Sequence, residues 1–367
     1  MQRVLAMTHL RALDGLRGLA VLMVILFHAL MSARWLGPVA RTGWIGVDLF
    51  FVLSGFLITR ILLQQKDSPN LRNFYWRRAL RIWPLYLLLL IFTVAVAPRL
   101  PAVPPIPPIQ DWFWYWATLI QNFVPAALEP WPLTVTWSLA VEEQFYLLWP
   151  VLVIALSART FRLLVAAIIV GSPVLRVIAL VAGVTPHAIH SYTPFRLDGL
   201  AFGALVALLG SAPSSWRTAI LRIGPPALCV GIGCAFWIGS NHPEHAIEGL
   251  RIAIFGGVHT FISIGFASSV LRVLRAVEEK RPAGWLEWRW LAALGTVSYC
   301  AYLIHQPIFV VSQSLLRPGL YRVLPMSHSA ATFVAIGLEI MATIVLSALS
   351  WIYLEKPILR LKSRFSS

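Results

Sequence analysis

The sequence predicts an all-α fold, a polytopic transmembrane helical bundle of about ten spans, and three observations support this prediction. Strongly hydrophobic residues make up 58% of the 367-residue chain, and the mean hydropathy is +0.75. Charged residues make up 12%, about half the share that is usual in soluble globular proteins. Apolar runs extend from one end of the chain to the other, and several approach the ~20 residues that cross a bilayer. A water-soluble enzyme, a disordered tail and a disulfide-framework protein are therefore excluded.

Ten apolar segments are candidates for membrane-spanning helices. The first is about 20 residues long and lacks a small-residue cleavage site, so it is interpreted as a retained span and not as a signal peptide. The sixth is short. The predicted spans are Leu13–Ser32, Trp44–Leu63, Ile82–Ala97, Trp137–Leu156, Leu163–Ala182, Leu197–Gly210, Gly224–Gly239, Ile252–Val270, Trp290–Val311 and Ala330–Tyr353.

The segment between the third and fourth spans is predicted not to cross the membrane. A proline-rich loop, 101–108, precedes a run of five aromatic residues, 112–116. Trp and Tyr favour the headgroup level of a bilayer, so we expect an interfacial or re-entrant helix here. No repeat or long soluble segment interrupts the chain, which predicts one membrane domain over residues 1–367.

The distribution of basic residues predicts the orientation. With ten crossings, 22 of the 30 Lys and Arg residues lie on the side of the N-terminus, seven lie on the other side, and Arg176 lies within a span. The positive-inside rule then places both termini in the cytoplasm of a plasma (inner) membrane. The net charge of +15 is explained mainly by this topology, so no nucleic-acid partner is expected.

Ionisable residues within the spans are candidates for function, because an unpaired charge in a bilayer costs several kcal/mol. Arg17 and His28 both lie in the first span, eleven residues apart. At 100° per residue they share one helix face, separated by roughly 16 Å along the axis. One face therefore carries a cation near the inner side and an imidazole near the outer side.

The outer third of the membrane is predicted to hold a layer of polar side chains around His28. A carboxylate beside an imidazole raises its basicity and fixes its tautomer, as general-base catalysis on a hydroxyl requires. Catalytic roles are therefore assigned to His28 and to carboxylates at its depth, with a further histidine and arginine as additional candidates. These residues are His28, Asp48, Glu142, Glu143, His305 and Arg176.

Several alternatives remain open for this layer. Asp48 is equally well explained as a counter-ion of Arg176 or Arg196. The adjacent Glu142 and Glu143 point about 100° apart, so only one of them is expected to face a cavity. Two further groups are interpreted as structural: a lone His259, and the pair formed by Asp198 and Arg196.

A cluster of arginines is predicted at the inner side. Arg78 and Arg81 share a helix face at the start of the third span, and Arg17 lies at the same side. Guanidinium groups bind phosphates in a bidentate manner, so the three together predict a binding site for a phosphorylated substrate. Ordinary positive-inside anchoring is the alternative, and it suits Arg72 and Arg77 best.

Seven sequence blocks, in this order, resemble the acyltransferase 3 family of integral-membrane acyltransferases. They extend over nearly the entire chain. The blocks are Leu13–Ala20 followed by His28, Gly46–Phe56, Arg78–Arg81, Trp137–Tyr146, Arg196–Gly199, Ser298–Pro307 and Glu355–Pro357.

The resemblance implies transfer of an acyl group, most often acetyl, from cytoplasmic acyl-CoA to a hydroxyl of an outer-side acceptor. It implies that Arg17, Arg78 and Arg81 bind acyl-CoA and that His28 is functional, and it adds Tyr299 as a candidate. Acetyl-CoA is then a co-substrate, with no tightly bound cofactor, and the expected acceptor is a cell-surface carbohydrate or glycolipid. Many family members carry an SGNH esterase-like domain after the last span, whereas this sequence ends 14 residues after Tyr353. We therefore expect that any second transfer step either needs another protein or does not exist.

Two rival functions are considered. Buried charges at two depths also suit a transporter or flippase of an acylated or sugar substrate, although no broken spans recur in two halves of the chain. A different class of membrane acyltransferase would use one lone histidine, and the arginines would then have no role. No metal is expected, because the three cysteines lack the spacing of a metal site.

Overall fold

The computed structural model describes residues 10–31, 37–101, 103–210, 215–240, 248–323 and 327–361, and the predicted all-α bundle is confirmed. Within these residues, eight helices are long and apolar enough to cross a membrane, and a bent helix pair makes a ninth if its halves form one span. The short helix Leu197–Leu209 corresponds to the sixth predicted span. The eight long helices, the bent pair and this short helix together give about ten candidate spans, in agreement with the prediction. Ser32, the predicted end of the first span, lies outside the described residues, as do Arg3, Arg34, Lys362 and Arg364 of the predicted charge distribution.

The observed helices begin and end at positions that differ by several residues from the predicted spans. The third, seventh, eighth and tenth spans are longer, because helices continue past the apolar core into polar residues at their ends. The helices labelled here are α1 (Arg11–Leu30), α2 (Gly46–Gln64), α3 (Leu71–Ile91), α4 (Ile109–Ala117), α5 (Trp137–Ala155), α6 (Ala158–Val181), α7 (Pro186–Ser191), α8 (Leu197–Leu209), α9 (Ser215–Gly239), α10 (Glu248–Glu278), α11 (Arg289–Thr296), α12 (Ser298–Val311) and α13 (His328–Ser350). Three further short helices, Gly37–Ala40, Arg317–Val323 and Lys356–Arg360, carry no label.

Three of these helices continue as π-helical segments, and short helical turns fill several connections. The π segments Phe92–Val96, Ser312–Leu316 and Trp351–Glu355 extend α3, α12 and α13. The helices α11 and α12 are bent by 76° at Val297. The ninth predicted span is therefore broken, and its bend lies beside α1.

The aromatic segment forms a short helix, as expected, but it packs more deeply than an interfacial helix would. Helix α4 has nine residues, or about 14 Å, which is too short to span a bilayer. Trp112 and Trp116 are each 1% exposed, and Trp116 Nε1 donates to Thr136 Oγ1 at 2.9 Å. The outward-facing Trp114 is 69% exposed. One face of α4 thus belongs to the protein core.

Close helix packing positions α1 in the bundle. A Cβ atom at Gly15 would lie 1.9 Å from the carbonyl oxygen of Leu286, and one at Gly18 would lie 2.1 Å from that of Leu291. A Cβ atom at Gly295 of α11 would lie 1.9 Å from the carbonyl oxygen of Asp14. Backbones this close leave no room for side chains, so α1 is held in a fixed rotation and the face with Arg17 and His28 is fixed with it.

Helix α2 is held against α8 by the same kind of contact, which generates a stability prediction. A Cβ atom at Gly55 would lie 1.9 Å from the backbone oxygen of Leu200. We expect Gly55→Ala to lower the stability by about 1–3 kcal/mol, because backbone atoms cannot rotate away as a side chain can. Thermal unfolding of the detergent-purified protein measures the change. Gly233→Ala is the matched control, since nothing lies within 4 Å of its added Cβ and alanine favours the helix. Equal melting temperatures for the two variants would contradict the packing argument.

Candidate active site

The three arginines predicted at the inner side line one cavity. Arg17 lies on α1 and Arg78 and Arg81 lie on α3, and their side chains border a cavity of about 90 Å³. Arg17 donates to Asp14 at 3.3 Å and is 22% exposed. The guanidinium of Arg78 lies over the rings of Tyr146 and Phe74, at 5.3 and 5.9 Å. These three residues are called the arginine cluster below.

One carboxylate faces the arginine cluster across the cavity. Glu142 accepts hydrogen bonds from Ser54 at 2.7 Å and from Tyr146 at 3.1 Å. Tyr146 also approaches Ser54 Oγ at 3.0 Å. The cavity lining thus contains three guanidinium groups and one carboxylate, and such an excess of positive charge favours an anionic ligand. Glu143 is not among the residues that line this cavity.

Helix α12 connects the arginine cluster with the predicted histidine site. Tyr299, Tyr302 and His305 follow one another at intervals of three residues along one side of this helix. Tyr299 borders the cavity and donates to the carbonyl of Ile82 at 2.8 Å. Tyr302 also borders the cavity, donates to the carbonyl of Val135 at 2.9 Å, and its ring lies 5.9 Å from that of His305. Polar groups therefore continue from the cavity toward the other end of α1.

His28 and His305 are in direct contact at that end. Nε2 of His305 lies 3.1 Å from Nδ1 of His28, and the ring centroids are 4.8 Å apart. His305 is fully buried, while His28 is partly exposed. The prediction that His305 joins the layer of His28 is confirmed by this contact. We call these two residues the histidine pair.

The backbone partners of the histidine pair favour one tautomer of each neutral ring. Nδ1 of His28 lies 3.0 Å from the carbonyl of Val24, and Nδ1 of His305 lies 3.2 Å from that of Ala301. A carbonyl oxygen can only accept, so each neutral ring carries its hydrogen on Nδ1. The Nδ1 hydrogen of His28 is then shared with the free Nε2 of His305. Nε2 of His28 retains its lone pair, and it has no hydrogen-bond partner among the described residues.

Asp48 lies in a different polar network from the one expected. It forms an ion pair with Arg196 at 2.9 Å and contacts Nδ1 of His259 at 3.2 Å, and Arg196 also contacts His259. The Arg196 guanidinium lies over the rings of Phe51 and Trp137. The alternative that Asp48 is a counter-ion of Arg196 is thereby confirmed, and the expectation of a lone His259 is wrong.

Arg176 belongs to a second, adjoining ion pair. It donates to Asp198 at 2.8 Å, to Thr260 at 2.5 Å and to the carbonyls of Gly256 at 2.8 Å and Phe195 at 2.5 Å. Arg176 is fully buried, and Asp198 is 1% exposed. The predicted pairing of Asp198 with Arg196 is wrong, because Asp198 pairs with Arg176 and Arg196 pairs with Asp48. Two buried arginines are thus neutralised by two buried aspartates.

The structure therefore separates residues that depth alone had grouped. The layer around His28 retains His305, whereas Asp48 and Arg176 lie in the ion-pair network and Glu142 lies with the arginine cluster. None of the three carboxylates expected beside His28 is among its hydrogen-bond partners in the described part of the chain. Helix rotation explains the difference, because residues at equal depth can face different neighbours.

Three polar residues of the site were missed from the sequence. Ser54 and Tyr146 hold Glu142, and Tyr302 joins the cavity to the histidine pair. All three lie within the sequence blocks that carry the family resemblance, and Tyr302 shares a helix face with Tyr299 and His305. This spacing could have identified Tyr302 from the sequence. Ser54 and Tyr146 carry no charge, so a search for ionisable residues within the spans does not find them.

The fold and the site define a multi-pass integral membrane protein that has a positively charged cavity and a histidine pair within its helical bundle. Residues 10–352 match the family described as "Acyltransferase domain". The chain therefore belongs to this acyltransferase 3 family, as the sequence blocks indicated. No solved structure gives a significant match to the chain.

Several curated proteins that are similar to this chain have names that describe them as O-acetyltransferases. The chain is 30% identical over 374 residues to the "Putative peptidoglycan O-acetyltransferase YrhL" of Bacillus subtilis and to the "Peptidoglycan O-acetyltransferase OatA" of Listeria monocytogenes, covering 95% of this chain and 55% of each relative. It is 28% identical over 381 residues to the "O-acetyltransferase OatA" of Staphylococcus aureus, covering 98% of this chain and 58% of that protein. The chain thus spans little more than half the length of these curated relatives.

The buried ion pair of Arg176 generates a prediction about stability. Replacing Arg176 by Leu leaves the Asp198 carboxylate buried without its counter-charge, and breaking such a pair costs about 3–5 kcal/mol. We therefore expect Arg176→Leu to lower the melting temperature strongly or to abolish folding, as measured by thermal unfolding in detergent. Arg275→Ala is the control: its pair with Glu279 is exposed, with side chains 59% and 36% accessible, so little change is expected. Similar losses in both variants would show that burial of the pair is unimportant.

Proposed function

We propose that this chain is a membrane-embedded O-acetyltransferase that moves an acetyl group from cytoplasmic acetyl-CoA to a hydroxyl of a cell-envelope carbohydrate. Family membership supports acyl transfer, and the names of the relatives support a peptidoglycan-type acceptor. The observation that carries the proposal is the layout of the site. A cavity lined by the arginine cluster ends at Tyr302, whose ring in turn lies 5.9 Å from that of His305 in the histidine pair.

The arginine cluster is proposed to bind the phosphates of the donor. Acetyl-CoA carries several phosphate oxygens, and three guanidinium groups offer bidentate donors to them. The excess of Lys and Arg at this end of the helices supports a cytoplasmic location, where acyl-CoA is available. Glu142, held by Ser54 and Tyr146, is proposed to keep the arginines apart and oriented.

His28 is proposed to act as general base on the acceptor. Nε2 of His28 takes the proton of the acceptor hydroxyl while the oxygen attacks the carbonyl carbon of the acetyl thioester. The carbon–sulfur bond then breaks, and the proton passes to the sulfur, so the products are an acetyl ester and free CoA thiol. The tautomer argued above supports this role, because it leaves the lone pair on the ring nitrogen that makes no hydrogen bond to any of the described residues.

His305 is proposed as a positioning residue for this base. Its Nε2 accepts from Nδ1 of His28 and so favours the tautomer in which Nε2 of His28 is free. Asp48, Arg176 and Glu143 are proposed to act indirectly: Asp48 and Arg176 stabilise the helices around the site, and Glu143 contributes to the electrostatics near Arg78. Tyr299 borders the donor cavity and is proposed to shape it.

Substitution of His28 tests the catalytic part of the proposal. We expect His28→Ala to reduce acetyl transfer by about 10²–10⁴-fold, the usual contribution of a general base, with an unchanged melting temperature. Membrane vesicles that contain the protein, acetyl-CoA and de-O-acetylated peptidoglycan fragments give the rate through released CoA thiol and the O-acetyl mass on the fragments.

Two further variants separate positioning from simple packing. His305→Gln supplies an amide oxygen that can still accept from His28, so it should retain more kcat than His305→Leu. His328→Ala, an exposed histidine elsewhere in the chain, should leave the rate unchanged. A His28→Ala protein that still moved a sugar substrate, with no CoA thiol released by any variant, would favour a transporter and overturn the proposal.

Donor binding is tested with neighbouring arginines of α3. We expect Arg81→Ala to raise the KM for acetyl-CoA by about 10-fold or more, because a hydrogen bond to a charged group contributes about 1.5–3 kcal/mol. Arg77→Ala is the matched control. Arg77 is exposed, donates to Asn73 at 2.9 Å and does not border the cavity. Equal effects of the two substitutions on KM would mean that general positive charge, and not the cavity, attracts the donor.

A further inference from the structure

A second concentration of arginines lies outside the proposed site. It lines a groove of about 570 Å³ formed by α9, α10 and the segment that follows α10. Arg222 comes from α9, Arg272 and Arg275 come from the last turns of α10, and Arg281 comes from the following segment. We call this groove the basic groove. Four guanidinium groups from three segments thus converge on one depression.

The basic groove lies at the same end of the bundle as the arginine cluster. Leu271 and Leu274 of α10 pack in one hydrophobic cluster with Leu13 and Leu16 at the start of α1. The chain that leaves the groove then packs directly on α1, where Leu286 meets Gly15. The groove is therefore at the membrane boundary that the positive-inside rule predicts to be cytoplasmic.

The charge of the basic groove is only partly balanced by the protein. Arg275 donates to Glu279 at 2.7 Å, which lowers the pKa of the Glu279 carboxyl and keeps it ionised, and Arg281 lies 3.5 Å from the same carboxyl. Arg272 donates to the carbonyl of Leu221 at 3.0 Å. Arg222 forms no ion pair in the described part of the chain. Four cations therefore share a single carboxylate among the residues that line the groove.

An exposed apolar track runs along the membrane helix away from the groove. Pro226, Val230 and Gly233 follow Arg222 on α9 at intervals of four, four and three residues, so they share its helix face. All of them are exposed, and Trp216 near the start of α9 is 71% exposed. A lipid whose phosphate lies in the groove would find its acyl chains against this face.

We propose that the basic groove binds the phosphate group of an anionic ligand, and that the apolar track favours an anionic phospholipid over a soluble phosphate. Guanidinium groups bind phosphate oxygens in a bidentate manner, and basic pockets between membrane helices bind anionic lipid headgroups. The inference goes beyond the proposed acetyl transfer and does not depend on it.

Native mass spectrometry of the whole chain in detergent tests the proposal. The probes are a phosphatidylglycerol and a phosphatidylcholine with the same acyl chains. We expect the protein to retain phosphatidylglycerol preferentially, and the triple variant R222Q/R272Q/R281Q to weaken its apparent affinity at least tenfold. R72Q/R159Q/R162Q is the matched control, because it removes three exposed arginines at the same end of the bundle outside the groove. Its affinity should stay within twofold of that of the unmodified chain.

Additional arms distinguish the sources of the phosphate and the causes of failure. Phosphatidylglycerol that resists displacement by millimolar inorganic phosphate identifies a lipid site, whereas ready displacement identifies a site for soluble phosphate. The single variant Arg222→Gln provides the test if the triple variant fails to fold. Because Arg222 forms no ion pair in the described part of the chain, its substitution leaves no carboxylate without a partner. An equal loss in the control variant, or no loss in the folded groove variants, would overturn the proposal. The binding is measured without acetyl-CoA, so its outcome is independent of the transfer reaction.

Discussion

The structure depends on how a few charges are accommodated in an interior of low dielectric constant. A buried arginine is tolerated when the chain supplies its counter-charge, and Arg176 with Asp198 and Arg196 with Asp48 follow this rule. The arginine cluster departs from it, because its three guanidinium groups are matched by fewer carboxylates: Asp14 pairs with Arg17, and Glu142 is the one carboxylate in the cavity lining. The same residue type is therefore structural in one place and available to a ligand in another. The difference is the local supply of negative charge.

Close backbone contacts keep these two environments apart. Gly55 of α2 meets Leu200 of α8, and Gly203 of α8 meets the backbone of Val52, so the two helices that carry Asp48 and Asp198 are locked together. The glycines of α1 instead meet the segments before and within α11. Helix α1 can consequently present Arg17 to the cavity and His28 to His305, with no contact to the aspartates required.

The sequence predicts the spans well because hydropathy and length are properties of each segment alone. It also predicts the depth of His28, Asp48 and His305, since depth follows from counting residues along a helix. Rotation about each helix axis is set by packing between distant segments, and this is why Asp48 was expected beside His28 and is found with His259. The bend at Val297 was likewise not predicted, because the segment Trp290–Val311 is long enough to be interpreted as a single span.

The size of the cavity places a condition on the proposed reaction. At about 90 Å³ it has room for several water molecules, and neither His28 nor His305 borders it. Tyr302 closes the end toward the histidine pair, held by Val135 and Ser138, and Phe50 packs against its ring. A thioester bound in this cavity would have to pass Tyr302 to meet His28. The bend between α11 and α12 is the nearest break in regular structure, so movement of α12 about Val297 would open the path while the glycine contacts of α1 with α11 stay in place.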